Sequence, residues 1–207
     1  MKRKKIIFIG AGGHAKSVID CLNTDLYEIC GFIDSVKQGS HCGFPILGND
    51  FNLLPNYQDY LYFICVGDNA VRKKWFTRIK ESGLKTVNII DKSAIIARDV
   101  KIGEGNFIGK MAIVNANVLI GDNNILNTKC LVEHECVIGN HCHLSTNSVV
   151  NGNVVVEDEV FYGSTAVCKG QLTIGEKSII GAGAVIIKNV EPNVTVVGVP
   201  GRVVKRG

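Results

Sequence analysis

Three residues near the middle of the chain have side chains that can move protons. His134 and Glu135 lie side by side, and His143 follows nine residues after His134. An imidazole is the side chain best suited to general-base chemistry near neutral pH, and an adjacent carboxylate can orient the ring or hold its charge. We therefore predict that His134 is a base supported by Glu135. His141 is interpreted as a surface residue.

A glycine-rich turn near the N terminus has the composition of a phosphate-binding loop. Residues 4–9 have the pattern of a buried strand, and Gly10, Gly12 and Ala15 follow it in the spacing G-x-G-x-x-A before a helical pattern that runs to Leu22. Such glycines let backbone amides and a helix N terminus approach a phosphate. A purely structural glycine turn is the alternative.

Polar residues also follow the next two predicted strands. Asp34 ends the strand over residues 27–33, where an acidic side chain can accept hydrogen bonds from a ribose or a base. Asn69 comes shortly after a third strand over residues 60–66. Because the ends of parallel strands converge at one crevice, we expect a nucleotide-linked ligand there. No second mononucleotide-binding half follows, so NAD is the less favoured ligand.

A six-residue repeat organises the rest of the chain. An aliphatic or similar residue recurs at every sixth position from Ile90 to Ile186 without a slip in phase, and a small or branched residue follows each one four positions later. Gly or Asn recurs between these inward-facing columns, as at Gly105 and Asn117, where a corner requires a positive φ. Three such faces make a triangular coil of 18 residues, with coils about 4.8 Å apart. The sequence therefore predicts a parallel β-helix over residues 89–207.

The repeat also predicts the surroundings of the candidate base. Residues 18 apart lie above one another, so His134 lies between Ala116 and Gly152. These small neighbours leave space for a narrow acyl thioester arm, and a backbone amide near Gly152 could bind its carbonyl. Acyl transfer to an amine needs such a base and such a donor for the developing oxyanion.

Composition excludes several other classes of protein. The formal charge of +4 comes largely from the two termini, so we expect no nucleic-acid partner. No apolar run is long enough for a secretory signal or a membrane span, and we expect a cytoplasmic protein without membrane insertion. Cys130, Cys136 and Cys142 fall on the inward small-residue column, where a free thiol packs as a small hydrophobe. We therefore predict no metal site.

Several segments together resemble the bacterial sugar O/N-acetyltransferases. The resemblance covers nearly the whole chain and is carried by GAGGH, FID, VGDNAVRKK, ILNTKCLVEHECVIGNHCHLS and VGVPGR. It implies an α/β Rossmann-like unit over residues 1–88 that binds a nucleotide sugar, followed by a left-handed parallel β-helix. It also implies a homotrimer with sites between subunits, and acetyl-CoA as co-substrate.

The resemblance further implies roles for individual residues. His134 would take the proton from a sugar amine, with Glu135 in support. The implied substrate contacts are Gly12, Gly13, His14, Asp34, Asn69, Arg72 and Asn127. The implied acetyl-CoA contacts are His143, Gly152, Ser164 and Arg202.

Three functions are consistent with the sequence. The first is N-acetylation of a UDP- or dTDP-linked 4-amino-4,6-dideoxy sugar, in which Ser35, present where some relatives carry a second Asp, leaves the base open. The second is O-acetylation of sialic acid or another sugar hydroxyl. The third is a non-catalytic scaffold that trimerises a nucleotide-sensing domain.

Overall fold

The computed structural model describes residues 2–206 and has two parts. The first is a six-stranded sheet with two helices. Its strands follow the spatial order β3-β4-β2-β1-β5-β6, and all neighbours run parallel except β3 and β4. The elements are β1 (Lys4–Ile9), α1 (Gly13–Cys21), β2 (Tyr27–Ile33), β3 (Ser40–His41), β4 (Phe44–Gly48), β5 (Leu61–Ile64), α2 (Asn69–Glu81) and β6 (Lys85–Thr86). Short 3₁₀ turns cover Phe51–Leu53 and Tyr57–Asp59.

The central strand β1 is apolar on both sides because helices cover both faces of the sheet. Ile6 and Phe8 pack into the core that includes Val18 of α1. Ile7 and Ile9 pack into the opposite core with the apolar side of α2. The chain builds the sheet outward from β1 in one direction and then restarts at β5 on the other side. The crevice between the ends of β1 and β5 is therefore a topological switch point, where open α/β sheets bind ligands.

The second part is a left-handed parallel β-helix of two-residue strands that form three faces. The first face contains Ile89–Ile90, Phe107–Ile108, Ile125–Leu126, His143–Leu144, Phe161–Tyr162 and Ile179–Ile180. The second face contains Ile95–Ile96, Ile113–Val114, Leu131–Val132, Val149–Val150, Val167–Cys168 and Val185–Ile186. The third face contains Lys101–Ile102, Leu119–Ile120, Val137–Ile138, Val155–Val156 and Thr173–Ile174. These seventeen strands are β7 to β23 in chain order, and β24 (Val194–Val197) with β25 (Arg202–Arg206) closes the coil as an antiparallel hairpin.

The 18-residue register is confirmed on every face. Phe107 pairs with Ile125 on the first face, and Ile113 pairs with Leu131 on the second. The second residue of each strand points into the coil and is buried from Ile108 onward, where coils cover it on both sides. Hydrophobic burial along this axis stabilises the stack.

The corners use the left-handed backbone region more regularly than the sequence shows. Every sixth residue from Gly105 to Gly183 has a positive φ, including Asn117 as predicted. The same conformation also occurs at Glu135 and His141, which are neither Gly nor Asn. The coil geometry therefore imposes this conformation on whichever residue the repeat places there.

The cysteines of the β-helix lie inside it, as predicted. Cys130, Cys136 and Cys142 are buried, and burial raises their thiol pKa values to about 12, 11 and 12. Within residues 2–206, no cluster of His, Cys, Asp or Glu has the arrangement of a metal site. In the same part of the chain, no helix is long and apolar enough to cross a bilayer.

The two parts pack against each other through the first face of the β-helix. Strand β6 ends at Thr86 and β7 begins at Ile89. Phe107 and Ile125 join the core that contains β1 and α1. The third face and the corner that precedes it lie away from this junction.

Candidate active site

His134 and Glu135 occupy the corner between the second and third faces, after Val132 and before Val137. The His134 side chain is 55% exposed, and its Nδ1 lies 3.3 Å from Oε2 of Glu135. Asn153, one coil further on, donates a hydrogen bond of 3.1 Å to the same carboxylate oxygen. A carboxylate can only accept a hydrogen bond, so the contact of Glu135 with His134 favours the neutral His134 tautomer that has hydrogen on Nδ1 and a lone pair on Nε2.

Gly152 stacks directly on the His134 ring. A Cβ added at Gly152 would lie 2.7 Å from both Cε1 and Nε2 of His134. The backbone N–H of Asn153 donates to the His134 carbonyl at 3.0 Å, which holds the two coils in register. Glycine is therefore the residue that leaves Nε2 open, as the 18-residue spacing predicts.

A cavity of about 640 Å³ opens at the junction of the two parts. The end of β5, the start of α2 and the first face of the β-helix form its walls. Its lining residues are Gly67, Asp68, Asn69, Ala70, His143, Glu159, Phe161, Lys177 and Ile179.

His143 lies in the wall of this cavity and makes contacts through both ring nitrogens. Nδ1 lies 3.2 Å from the Gly67 carbonyl, and Nε2 lies 3.5 Å from the amide nitrogen of Asn127. Burial, together with the nearby Arg72 charge, lowers the pKa of His143 to about 4. The ring is therefore neutral at pH 7.

His14 reaches the same region from the first turn of α1. Its ring packs edge-on against Phe107 at a centroid distance of 4.9 Å, and its Nε2 is buried without a hydrogen-bond partner among the described residues. Burial lowers its pKa to about 4, with smaller contributions from His143 and Arg72. The structure thus brings His14, His143 and Asn127 to one side of the junction. The neighbouring Gly12 and Gly13 are exposed at the uncapped start of α1.

Asp34 braces the glycine turn. One carboxylate oxygen accepts the N–H of Ala11 at 2.7 Å, and the other accepts the N–H groups of Val36 and Lys37, both at 2.9 Å. The Lys37 ammonium returns to the Ala11 carbonyl at 2.5 Å. Asp34 therefore stands where the sequence predicts and holds the backbone beside the switch-point crevice.

The structure corrects the expectation that Arg72 lines the nucleotide pocket. Its side chain is only 1% exposed and lies between the two parts of the molecule. All of its N–H groups face protein acceptors, so none is available to a ligand. These acceptors are the carbonyls of Val66, Gly67, Asn123, His141 and Cys142 and the side chain of Asn69. Burial of Arg72 by corners that are distant in the chain leaves no local signal in the sequence.

Asn69 lines the cavity, but its amide is also engaged in the junction. It donates to the carbonyls of Glu159 and Val160 at 3.0 and 3.1 Å and accepts from Arg72. Asn69 therefore lies in the cavity wall while its hydrogen bonds join the two parts, and its contact with a substrate stays a prediction.

The residues assigned to acetyl-CoA lie on different parts of one chain. His143 is on the first face and Gly152 is at the corner between the second and third faces. Ser164 lies at the corner between the first and second faces, where its carbonyl accepts the N–H of Gly183 at 2.9 Å. Arg202 is exposed at the start of β25. A single chain does not bring these residues together.

The candidate base and the junction cavity also face away from each other. The His134 corner is the edge of the triangular coil opposite the first face, against which the first part of the molecule packs. Any reaction that uses both must combine groups from two copies of the chain.

Comparison with known proteins identifies relatives of both parts. Residues 5–79 match the model of the PglD N-terminal domain. PerB from Caulobacter crescentus, solved in complex with CoA and GDP-perosamine, is 32% identical, with 97% of each chain covered and a TM-score of 0.91. The acetyltransferase domain of PglB from Neisseria gonorrhoeae, solved with acetyl coenzyme A, is 31% identical over 98% of this chain and 100% of that one, with a TM-score of 0.92.

Two further proteins are also similar to this chain. WeeI from Acinetobacter baumannii is 30% identical over 97% of this chain and all of its own, with a TM-score of 0.87. An uncharacterised protein of Acanthamoeba polyphaga mimivirus is 37% identical over 102 residues, which is 49% of this chain but only 20% of the viral protein. The full-length structural matches at 30% identity or more establish that the chain belongs to the hexapeptide-repeat sugar acetyltransferases, acetyl-CoA-dependent enzymes with a left-handed β-helix.

Proposed function

We propose that the protein transfers the acetyl group of acetyl-CoA to the amine of a nucleotide-linked 4-amino-4,6-dideoxy sugar, with His134 as general base. The observation that carries this proposal is the exposed His134 ring, with Glu135 on Nδ1 and the side-chain-free Gly152 beside Nε2. A base needs an accessible lone pair, and this arrangement provides one. The relative solved with CoA and GDP-perosamine supports the choice of an amino sugar.

The chemistry then follows from the two coils around His134. The sugar nitrogen attacks the thioester carbonyl while Nε2 of His134 takes a proton from that nitrogen, and Glu135 stabilises the imidazolium that forms. The backbone N–H of Gly152 makes no hydrogen bond within residues 2–206 and can donate to the oxyanion. Collapse of the tetrahedral intermediate breaks the carbon–sulfur bond, and the departing thiolate takes the proton from His134 and leaves as CoA.

We place the nucleotide at the switch-point crevice of the first part. The exposed amides of Gly12 and Gly13 at the start of α1 suit a phosphate group. Asp34 holds that turn in place and borders a second cavity of about 270 Å³. The base remains open among uracil, thymine and guanine.

We further propose that the protein is a homotrimer with sites between subunits. The His134 corner and the junction cavity lie on opposite sides of one coil, so a second copy has to supply the missing half. The outward residues of the third face are apolar and 38 to 42% exposed at Leu119, Val137 and Val155. Such a stripe fits burial against another copy of the same chain. The acetyl-CoA contacts His143, Gly152, Ser164 and Arg202 would then come from different subunits.

The test is an acetylation assay with UDP-, dTDP- and GDP-linked 4-amino sugars. Release of the CoA thiol and the mass of the product are followed with the wild-type protein and with His134→Ala. We expect acceptor-dependent thiol release, a product heavier by one acetyl group, and a loss of about 10²- to 10⁴-fold in kcat for the variant. Lys92→Ala, which removes an exposed side chain at another corner, is the control and should keep full activity.

Turnover of sialic acid or another hydroxyl acceptor, with none of the amino sugars, would replace this proposal with O-acetylation. Acetylation of amino sugars that survives His134→Ala unchanged would remove His134 from the mechanism. A blank without acceptor is required because the chain has eight cysteines.

A further inference from the structure

Arg72 is buried at the junction although a guanidinium is costly to remove from water. Nε donates to the Asn123 carbonyl at 2.9 Å, and Nη2 donates to the carbonyls of His141 and Cys142 at 2.8 and 3.0 Å. His141 and Cys142 belong to the corner that leads into His143, and Asn123 lies in the corresponding corner one coil earlier. The side chain comes from α2, so it ties the first part of the molecule to that corner.

The same guanidinium holds the loop that faces His143. Nη1 donates to the carbonyls of Val66 and Gly67 at 3.2 and 3.1 Å. The oxygen of the Gly67 carbonyl also lies 3.2 Å from Nδ1 of His143. Arg72 therefore fixes both the acceptor of this hydrogen bond and the backbone that immediately precedes the donor.

Two neighbours of His143 define where its proton lies. A carbonyl oxygen can only accept, so Nδ1 must carry hydrogen to bond to Gly67. On the other side, the amide nitrogen of Asn127 faces Nε2 at 3.5 Å, while the amide oxygen of Asn127 is already engaged by the N–H of Thr128 at 2.8 Å. The orientation of the amide is thereby set, and Nε2 is left as an acceptor.

We propose that Arg72 is a positioning residue that fixes His143 in the Nδ1–H tautomer through the Gly67 carbonyl, so that Nε2 acts only as a hydrogen-bond acceptor. Nε2 of His143 then accepts a hydrogen bond from an N–H or O–H group of the sugar or of acetyl-CoA, and it does not donate to the thioester carbonyl. A planar fork with five N–H groups can hold both loops at once, whereas the ammonium of a lysine cannot. The consequence for turnover rests on the proposed function, but the tautomer itself does not.

The tautomer can be measured directly by long-range ¹H–¹⁵N correlation on protein labelled at its five histidines. His143→Gln identifies the signal of His143. In the wild type we expect a protonated-type shift at Nδ1 and an unprotonated-type shift at Nε2. In Arg72→Lys we expect a mixture of both tautomers. Lys80→Met, which removes a different contact between the two parts, the ion pair with Glu104, is the matched control and should keep the wild-type pattern.

A protonated Nε2 in the wild type, or an unchanged pattern in folded Arg72→Lys, would overturn the proposal. If Arg72→Lys does not fold, Asn127→Ala still tests it, because the pattern should persist while the Gly67 carbonyl is held. Loss of the pattern in Asn127→Ala would assign the tautomer to the amide instead. With an active enzyme, Arg72→Lys should lower kcat/KM for the sugar nucleotide about tenfold or more. An inactive wild type would refute the proposed function and leave the tautomer measurement intact.

Discussion

Beside Nε2 of His134 there is room for a ligand only because residue 152 has no side chain. We predict that Gly152→Ala lowers kcat for acetyl transfer about tenfold or more, because its Cβ would come within 2.7 Å of the ring and displace the base. The His134 side chain is exposed and can move, so the unfolding temperature should change little. Steady-state kinetics measure the expected fall in kcat, and a thermal melt measures the unfolding temperature. Full activity in Gly152→Ala would show that the ring position seen here is not the working one.

His14 and His143 make the free energy of unfolding depend on pH. Both have pKa values near 4 in the folded state, lowered from 6.5 mainly by burial. Between pH 6.5 and 4 the unfolded chain therefore binds more protons than the folded chain. The contribution of the two neutral rings to the free energy of unfolding is complete above pH 6.5 and is lost as the pH falls toward 4. Each ring should account for about 1–3 kcal/mol of the loss.

Urea unfolding of His14→Gln and His143→Gln from pH 8 to pH 4.5 measures this effect. Each variant should lose less stability than the wild type as the pH falls below 6.5. Plots of the free energy of unfolding against pH should run parallel for variant and wild type above pH 7. Equal slopes for variant and wild type at acid pH would show that the rings are protonated in the folded state.

At the scale of the elements, the six-residue repeat was sufficient to predict the β-helix. Each aliphatic position contributes one inward residue of one short strand, so the periodicity specifies register and coil together. The glycine turn and the end of β2 likewise pointed to the edge of the sheet where the strand order reverses, and nucleotide binding at this edge stays a prediction. The role of Arg72 could not be read in this way, because its partners at Asn123 and His141 are brought to it only by the docking of the two parts.

The corner conformation gives an element-scale prediction. Asn117 is exposed with φ 59°, and its side chain makes no hydrogen bond among the described residues. Asn117→Val should lower the free energy of unfolding by about 1–2 kcal/mol, because a β-branched residue is disfavoured at positive φ. Asn115→Val, two residues earlier and without a positive φ, is the matched control and should cost less. Chemical denaturation measures both, and equal losses would show that the corner tolerates branching.

At the scale of the whole molecule, the candidate functional residues lie on two opposite sides of one coil, the first face and the His134 corner. The junction contains His14, Asn127 and His143 and lies against the first part of the molecule. The opposite edge contains His134, the proposed base. A solenoid cannot fold back on itself to join them, so the proposed reaction depends on how copies of the chain assemble.

Mixing two inactive variants tests this arrangement. His134→Ala keeps the junction, and His143→Ala keeps the base, so trimers refolded from an equal mixture contain some interfaces with both halves intact. Random assembly gives about a quarter of the wild-type number of complete sites, because an interface works only when the base comes from one variant and the junction from the other. Each variant refolded alone should stay near its own low background. Size-exclusion chromatography with light scattering gives the oligomeric state of every sample. Recovered activity requires a site between subunits. Absence of activity in a mixture shown to contain mixed trimers would place the reaction within one chain.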